Sequence, residues 1–438
     1  MNKLILTILI ISLHNISSAQ NGWIWQNSNL KQKLNDVFFI NSQSGWIAAD
    51  STKILRTTNG GVNWSTQTLP YYSPLKSIFF IDENTGWAAG GYWYIVNSGV
   101  IYKTTNGGNN WFTQGLGGNL NDIYFINGNT GFVGYDASGD FVSGGGIFKT
   151  TNGGSNWNQA DTYSIDFVIS SVCFSNGNGY ACGYRYDDTG NDTIIILKST
   201  DFGNSWNKKF LKNINGTWGN LLNSICCIGD TVWCAGQDSS ILRSTDAGEN
   251  WQEINVNKPA FLNSIYFVDN NTGFIAGRSS SDTSNIMKST NGGSNWFKLK
   301  NNYTNELNAI FFVDKATGWA VGNNYPGADG IILKTITGGL TEVNSSGIGF
   351  ISDYRLDQNY PNPFNTKTII SFEISGNENV SLKVFDVLGN KVFSLVNKKL
   401  NAGKYNIEFD GSNLSSGIYF YTLLSGYFND TKRMILLK

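Results

Sequence analysis

The hydrophobic positions of this chain fall in short runs that recur with a regular period. Seven apolar runs, six or seven residues long and rich in β-branched and aromatic side chains, are each followed by a turn containing Gly, Asn or Asp. They occupy residues 34–40, 75–81, 120–126, 169–174, 222–228, 262–268 and 307–313. Short runs of this composition, bounded by turn residues, predict β-strands rather than helices.

Each apolar run opens a unit that contains three further predicted strands. A second strand usually begins with Gly and an aromatic residue, as at Gly45-Trp46, a third is exemplified by residues 54–57, and a fourth starts at a Trp such as Trp111. Four short strands in about 45 residues is the period of a propeller blade. The seven units therefore predict an all-β fold that contains a seven-bladed β-propeller.

The two ends of the repeat array predict how the ring closes. The seventh unit ends in a degenerate copy of the turn at residues 334–339, which lacks the Trp that starts the fourth strand in the other units. Residues 22–26, which include Trp23 and Trp25, precede the first unit and have the sequence character of a fourth strand. We therefore expect the N-terminal segment to supply the outer strand of the last blade, which leaves no open sheet edge at the seam.

A repeated turn separates the third and fourth strands. It has a basic residue, two hydroxyl residues, Asn or Asp, and then Gly and Trp two and five positions later. Its Asn or Asp and its Trp are Asn59 and Trp64, Asn106 and Trp111, Asn152 and Trp157, Asp201 and Trp206, Asp246 and Trp251, and Asn291 and Trp296.

The chemistry of this turn indicates a structural role. An Asp or Asn side chain is expected to accept backbone N–H bonds two or three residues on, while Gly takes a positive φ angle and Trp covers the turn with apolar surface. The turns offer too few acidic oxygens for calcium. We therefore expect these residues to be scaffold, and we expect no metal site and no cofactor.

The N-terminus has the features of an export signal. Lys3 provides a positive charge, residues 4–13 are apolar, and small residues precede a cleavage site before Gln20. Ten apolar residues are too few to span a bilayer, so we expect a cleaved signal peptide and no transmembrane segment afterwards. The single histidine, His14, lies in this signal, so the mature protein has no histidine for zinc or for Ser-His-Asp catalysis.

Composition narrows the class of partner. Charged residues are only 14% of the chain and the formal net charge is −1, so bulk electrostatics favour neither nucleic acid nor an anionic membrane. Gly (50 residues) and aromatic residues (14%) are abundant, as in turn-rich all-β proteins. We expect no nucleic-acid partner.

The five cysteines are compatible with two states. Cys173 and Cys182 flank one short turn and Cys227 and Cys234 another, so export permits a cross-strand disulfide inside each of two neighbouring repeats. In the other state all are small buried thiols of inner strands. Because the count is odd, at least one thiol stays free unless it pairs between chains.

The turn motif and its spacing resemble those of the Asp-box, or BNR-like, propellers. The form Ser/Thr-x-Asp-x-Gly-x-x-Trp is intact at residues 199–206 and 244–251, and Asn replaces Asp in four other copies. Over residues 21–342 the chain is similar to the Ycf48/Hcf136 family of photosystem II stability and assembly factors. The resemblance implies a propeller, but the photosystem role depends on partner surfaces and does not follow from the fold.

The C-terminal region has a different character. Residues 343–353 break the period, and alternating strands at residues 368–374, 380–386, 391–395, 403–409, 417–424 and 431–437 predict a small β-sandwich. Residues 358–365, 384–389, 417–421 and 432–438 are similar to the type A C-terminal sorting domain of the type IX secretion system. This resemblance implies export through that machinery and a secreted or surface-attached product.

The expected organisation has four parts. They are a signal peptide at residues 1–19, a seven-bladed Asp-box β-propeller at 20–342, a linker at 343–353, and a sorting domain at 354–438 that contacts the secretion machinery.

Function is expected on the propeller face that carries the loops between second and third strands, because ligands of propellers bind at the mouth of the central channel. The repeated turns lie on the opposite face. The long loops of repeats two to four carry the ligand-binding candidates Tyr92, Trp93, Tyr94, Tyr135, Asp136, Asp140, Tyr184, Arg185, Tyr186 and Asp188. Aromatic rings beside carboxylates suit an extracellular glycan or protein ligand, although the same rings can pack each loop onto its neighbour.

Catalysis is the alternative. A glycoside hydrolase needs a pair of carboxylates, which Asp136, Asp140, Asp187 and Asp188 could supply, but their spacing selects no pair. Sialidase chemistry is disfavoured, because Arg185 and Arg278 are the only propeller arginines outside the repeated turns. We therefore expect a non-catalytic binding or scaffold module and assign no catalytic residue.

Overall fold

The computed structural model describes residues 22–438 with interruptions. The segments that are not described are 71–72, 93–98, 138–143, 161–166, 186–192, 214–220, 238–239, 257–259, 280–283, 300–304, 325–328, 341–354, 375–377, 402 and 426–427. The expected signal peptide and the expected boundaries around residues 342 and 353 lie outside the described residues, so they stay predictions.

Thirty-five strands form nine sheets in the described part of the chain. The first is β1 (Ile24–Asn27). Blade 1 has β2 (Leu34–Phe39), β3 (Gly45–Ala49), β4 (Lys53–Thr57) and β5 (Ser65–Thr68). Blade 2 has β6 (Leu75–Phe80), β7 (Gly86–Gly90), β8 (Val100–Thr104) and β9 (Phe112–Gly115). Blade 3 has β10 (Asn119–Phe125), β11 (Gly131–Asp136), β12 (Gly145–Thr150) and β13 (Asn158–Gln159).

The remaining blades repeat this plan. Blade 4 has β14 (Val168–Ser175), β15 (Asn178–Arg185), β16 (Thr193–Ser199) and β17 (Asn207–Asn213). Blade 5 has β18 (Leu222–Ile228), β19 (Thr231–Gly236), β20 (Ser240–Ser244) and β21 (Gln252–Asn255). Blade 6 has β22 (Ala260–Phe267), β23 (Gly273–Ser279), β24 (Ser284–Ser289) and β25 (Phe297–Lys298). Blade 7 has β26 (Asn305–Phe312), β27 (Gly318–Asn324) and β28 (Gly330–Thr335), and every blade is antiparallel in strand order.

The N-terminal strand completes blade 7, as the sequence predicts. Strand β1 pairs with β28 from Ile24 opposite Lys334 to Asn27 opposite Ile331. Trp23 is 2% exposed, and its ring meets Phe312 edge-on at 6.0 Å, in the position that the Trp of the repeated turn holds in other blades. The seventh blade therefore borrows both its outer strand and its covering Trp from the start of the chain.

Neighbouring blades pack through aromatic pairs. An aromatic residue on the second strand of one blade stacks on an inner-strand Phe of the next, with ring centroids 3.5 to 4.3 Å apart. The six pairs are Trp319 with Phe39, Trp46 with Phe80, Trp87 with Phe125, Phe132 with Phe174, Trp233 with Phe267, and Phe274 with Phe312. Such pairs contribute roughly 0.5–1.5 kcal/mol each beyond the burial of their surface.

The repeated turn is held by two side chains rather than one. In blade 1 the Thr57 hydroxyl accepts the backbone N–H groups of Asn59 at 3.3 Å and Gly61 at 2.8 Å, and the Asn59 amide oxygen accepts that of Asn63 at 2.9 Å. In blade 1 the Asn59 oxygen therefore reaches four residues on. In blade 4 the Asp201 carboxylate accepts the backbone N–H of Asn204, three residues on as expected, and also that of Ser205, four residues on. Gly61 has the expected positive φ, 85°.

The repeated turn also joins one blade to the next. The Trp46 indole N–H donates to the Gly107 carbonyl of the following blade at 3.1 Å. At the seam, the Lys334 ammonium donates to the Gly60 carbonyl of blade 1 at 2.8 Å. The basic residue of the motif thus serves the neighbouring copy of the turn, which explains why the motif repeats as a unit.

The C-terminal region forms a two-sheet sandwich, as predicted. One sheet has the order β29 (Arg355–Leu356), β30 (Lys367–Ile374), β33 (Gly403–Asp410), and the other has the order β32 (Lys391–Leu400), β31 (Glu378–Phe385), β34 (Gly417–Ser425), β35 (Phe428–Leu436). Its core includes Ile370, Leu382 and Tyr421. The Tyr421 hydroxyl donates to the Asp357 carbonyl and accepts the Asn359 N–H, both at 2.7 Å, which fixes the entry segment of the domain.

Candidate functional site

The seven inner strands contact one another in a closed ring around the central channel. Each carries a β-bulge after its first Leu or Ile, as between Leu34 and Asp36 in blade 1. Leu34 pairs with Ala49, the last residue of β3, so the bulges lie at the channel end from which the loops between second and third strands leave. This end is the mouth on which we expected function.

The residue skipped by the bulge is polar in every blade. These residues are Asn35, Lys76, Asn121, Ser170, Asn223, Asn263 and Asn308, and we call the five asparagines the asparagine belt. Each belt amide donates to an inner-strand carbonyl of the next blade: Asn35 to Leu75, Asn121 to Ile169, Asn223 to Leu262, Asn263 to Leu307 and Asn308 to Leu34, at 2.6 to 3.0 Å. The belt therefore binds blade to blade around the mouth.

A second ring of polar residues follows directly after the bulge. Asp36, Ser77, Asp122, Ser224 and Ser264 accept the backbone N–H of Ile78, Ile123, Val172, Ile265 and Ile310 in the next blade, at 2.8 to 3.3 Å. We call these acceptors the carboxylate–serine belt. Serine and aspartate accept the same backbone hydrogen bond at equivalent positions, so this hydrogen bond does not require a carboxylate.

Asp36 and Asp122 are nevertheless unusual carboxylates. Burial raises the pKa of Asp36 to about 7, and the charge of Asp122 adds to that shift. Burial also raises the pKa of Asp122. Asp122 accepts the hydroxyls of Ser77 and Ser171 at 2.9 Å and the Val172 N–H at 2.8 Å. These three donors come from the two neighbouring blades, so the Asp122 carboxylate links blades 2, 3 and 4.

Lys76 is the one basic residue at a bulge. Its ammonium donates to the Asn121 amide oxygen at 2.8 Å. Burial lowers the pKa of Lys76 to about 8; the carboxylates of Asp136 and Asp50 oppose this shift, and Lys33 adds to it. The mouth beside blades 1 to 3 thus holds a half-buried ammonium among carboxylates and amides.

The described binding candidates lie at the same end of the channel. Tyr135 and Asp136 end β11, Tyr184 and Arg185 end β15, and Tyr92 follows β7. Tyr135 is 8% exposed and its ring stacks on Phe148 at 4.3 Å, so this ring packs within blade 3. Arg185 lies over the Phe167 ring at 5.7 Å.

Only part of the predicted set can be placed. Asp136 is brought into the electrostatic surroundings of Lys76, and the Asn119 amide approaches its carboxylate at 3.5 Å. The candidates Trp93, Tyr94, Asp140, Tyr186 and Asp188, and also Asp187, lie outside the described residues. The ligand-binding role of the set stays a prediction.

Sequence reasoning missed Lys76 and both polar belts. The signal was present, because a polar pair follows the first apolar residue of the inner strand in six of the seven blades, as at Asn35-Asp36, and blade 7 has Asn308-Ala309. The apolar majority of each run conceals this pair. A polar pair repeated in register inside a buried strand indicates side chains that face a channel.

An aromatic layer lies deeper in the channel. Phe38 packs against Phe79 at 5.2 Å and against Phe311 at 5.0 Å, while Tyr124 and Tyr266 extend the layer on either side. Cys173 and Cys226 take the equivalent strand positions in blades 4 and 5. The polar mouth therefore has an apolar floor.

Two further findings concern the described residues. Across those residues, no group of three or more His, Cys, Asp or Glu side chains is placed to hold a metal ion. Within the same residues, no helix has the length and apolar character needed to cross a membrane.

Two family models match the sequence. One, described as photosynthesis system II assembly factor YCF48, matches residues 16–162 and 187–260, which together are just over half of the chain. The other, described as the secretion system C-terminal sorting domain, matches residues 358–437. No curated protein matches the chain.

Solved structures share the propeller fold. YCF48 bound to D1 peptide is 19% identical, with a TM-score of 0.54, and the match covers 72% of this chain and 97% of that one. YCF48 from Cyanidioschyzon merolae is 18% identical, with a TM-score of 0.51 and coverage of 72% and 98%. The RRP9 WD40 repeats are 9% identical, with a TM-score of 0.53 and coverage of 73% and 98%. At these identities the likeness is one of fold.

Proposed function

Because the chain belongs to the YCF48 family of photosynthesis system II assembly factors and carries a secretion-system sorting domain, we propose that it is an exported propeller whose channel mouth binds a peptide segment of a protein partner. A solved YCF48 structure of the same fold is bound to a peptide, which supports this class of ligand. The photosystem itself is not part of the proposal, since fold does not transfer a partner.

Lys76 is the observation that carries the proposal. A partly desolvated ammonium is costly to keep charged, and the lowered pKa of about 8 records that cost. We propose that a carboxylate or main-chain carbonyl of the ligand offsets this cost, and that the carboxylates of Asp50 and Asp136, which act electrostatically on Lys76, accept N–H groups of the same ligand. A peptide presents acceptors and donors at close spacing, so it matches a mouth in which both kinds of group lie together.

A peptide-display selection on the exported protein tests this ligand class. Lys76→Met is expected to weaken the selected peptides about ten- to a hundredfold, because a hydrogen bond to a charged group is worth roughly 1.5–3 kcal/mol. Wild-type affinity is also expected to fall as the pH rises from 7 to 9, since the ammonium titrates near 8. Isothermal titration calorimetry measures both effects.

Lys315→Met is the matched control for this experiment. Lys315 forms an exposed ion pair with Asp269 at 2.8 Å, and its carbonyl lies beside Gly338, at the channel end that holds the repeated turns. This variant removes the same charge and is expected to bind as wild type does. Equal binding by both variants contradicts the proposal, as does a selection that recovers only glycans. Polysaccharide hydrolysis that disappears in Asp136→Asn would instead establish the hydrolase alternative.

Export is the second part of the proposal. The sorting domain points to secretion or attachment at the outer surface. We propose that residues 1–19 direct passage across the inner membrane and that the type IX machinery recognises residues 354–438. In a host with that machinery, full-length protein is expected outside the cell, and a variant truncated after residue 353 is expected in the periplasm. Immunoblots of cell fractions distinguish the two, and extracellular truncated protein counts against recognition of the tail.

A further inference from the structure

The junction between blades 4 and 5 is built differently from the other junctions. Six junctions carry a second-strand aromatic stacked on an inner-strand Phe of the next blade. At this junction the second-strand aromatic is Tyr180, but Cys227 stands where the other inner strands have Phe. The contact surface that stabilises the other junctions is therefore reduced here.

Four cysteines occupy this junction instead. In blade 4, Cys173 pairs with Tyr180 and Cys182 with Ser171, so both cysteine side chains lie on the same face of the sheet. In blade 5, Cys227 pairs with Val232 and Cys234 with Ile225, so these two share a face as well.

The two cysteine-bearing faces meet. Cys173, Cys182, Cys227 and Cys234 belong to one apolar cluster between the blades. Cys226 points away from it and packs with Trp233 toward blade 6.

The thiols approach one another across the junction rather than within a repeat. Cys173 on β14 lies within hydrogen-bonding reach of Cys227 on β18. Cys182 on β15 lies within the same reach of Cys234 on β19. One cysteine pair thus joins the two inner strands, β14 and β18, and the other joins the two second strands, β15 and β19. Neither cysteine of a repeat is the direct cross-strand partner of the other, so the in-repeat pairing considered from the sequence is not the one that the register favours.

We propose that the exported protein carries two disulfides between blades 4 and 5, Cys173–Cys227 and Cys182–Cys234, and that Cys226 remains a free thiol. In the structure all five cysteines are free thiols, which is the reduced form. The proposal rests on export into an oxidising compartment but not on the identity of the ligand at the mouth.

The oxidation is a thiol–disulfide exchange with a disulfide-bearing carrier protein of the cell envelope. For each pair, one cysteine thiolate attacks the carrier disulfide and forms a mixed disulfide. The second cysteine thiolate then displaces the carrier, which leaves as a dithiol. Each pair loses two electrons and two protons in total, and the carrier gains them.

The exchange has to precede tight packing of the two blades. Burial raises the pKa of the Cys173 and Cys234 thiols, so little thiolate is present once the junction is formed. In a partly folded chain, blades 4 and 5 can be close enough for the cysteines to meet and still hydrated enough for the thiols to ionise. A shared metal is not the explanation, because no three of these side chains are placed for a metal ion in the described residues.

Thiol counting on the exported full-length protein tests the proposal. The protein is denatured in the presence of an alkylating reagent without reductant, and its mass is measured before and after a reductant is added. One alkylated thiol is expected without reductant, and all five with it. Peptide mapping is expected to recover Cys173 linked to Cys227 and Cys182 linked to Cys234.

Two single variants sharpen the assignment, and both are read on denatured protein, so neither depends on native stability. Cys226→Ser is expected to leave no alkylated thiol without reductant. Cys173→Ser is expected to expose Cys227 to alkylation while the Cys182–Cys234 link persists. Five alkylated thiols in the wild-type protein overturn the proposal, and so does a Cys173–Cys182 or a Cys226-linked peptide. None of these outcomes bears on peptide binding, so the two proposals can fail separately.

Discussion

Between pH 4 and pH 7 the propeller is expected to lose up to about 4 kcal/mol of unfolding free energy through Asp36 alone. Burial in the carboxylate–serine belt raises the pKa of this carboxyl from its ordinary 3.8 to about 7. In this window the folded protein keeps the proton while the unfolded chain has released it. Stability therefore falls as the pH rises through the window and levels off above it.

Asp36→Ser isolates this contribution. Serine already accepts the equivalent backbone N–H at Ser77, Ser224 and Ser264. The variant is therefore expected to keep the hydrogen bond from the Ile78 N–H and to remove the charge. At pH 8 the variant is expected to be more stable than wild type, and at pH 4 the difference should nearly vanish. An unchanged pH slope in Asp36→Ser contradicts the assignment.

Chemical denaturation followed by tryptophan fluorescence suits this measurement. All 14 tryptophans precede residue 343, so the signal reports the propeller and not the sorting domain. Other carboxyls act in the opposite direction: hydrogen bonds from Ser205 lower the pKa of Asp201 to about 2, and that contribution is lost as the pH falls through 2. The two windows do not overlap, so Asp201 does not obscure the loss between pH 4 and 7. Asp122, whose pKa burial also raises, acts in the same direction as Asp36, and the difference between wild type and Asp36→Ser gives the share of Asp36.

Trp23→Ala is expected to cost about 3–5 kcal/mol, the range for truncating a buried aromatic residue. Trp23 is 2% exposed, it packs edge-on against Phe312, and it stands in for the Trp missing from the seventh turn. Its loss removes the cover at the seam of the ring. The first transition in chemical denaturation should move to lower denaturant, and the N-terminal segment should become sensitive to limited proteolysis.

Trp25→Ala is the paired control. Trp25 lies on β1 two residues later and is 44% exposed, so its truncation is expected to cost less than about 1 kcal/mol. Equal destabilisation by the two variants means that β1 pairing, and not the Trp23 ring, holds the seam.

The sequence predicted the blade count and the closure for a physical reason. The repeated turn needs a hydroxyl, an Asn or Asp, and a Gly in fixed order, so each copy marks one junction between third and fourth strands. Because Trp is the last member of the motif, its absence after Gly339 and its presence at Trp23 located the seam. Interactions within one short turn can be predicted from the sequence, because all the residues involved are neighbours in the chain.

The polar belts were not predicted, because they depend on register between blades. Asn35 and Leu75 are distant in sequence and meet only when a bulge turns the inner strand toward its neighbour. The proximity of Lys76 to Asp136 likewise arises from blades 2 and 3 sharing one mouth. The proposed pairing of Cys173 with Cys227 likewise depends on contact between two blades, whereas short spacing in the sequence points to partners within a repeat.

The pairing of β1 with β28 has a consequence for the order of events in export. In the export that we propose, Ile24 is among the first residues to cross the inner membrane, and its partner Lys334 follows only after all seven inner strands have crossed. Until then the ring has an open seam and remains a row of blades. The sorting domain follows β28 in the chain. A molecule with a complete sorting domain in the periplasm therefore already has both seam strands, β1 and β28, in the same compartment. The order of the chain therefore ensures that the sorting domain is available for recognition only after both strands of the propeller seam are available to pair.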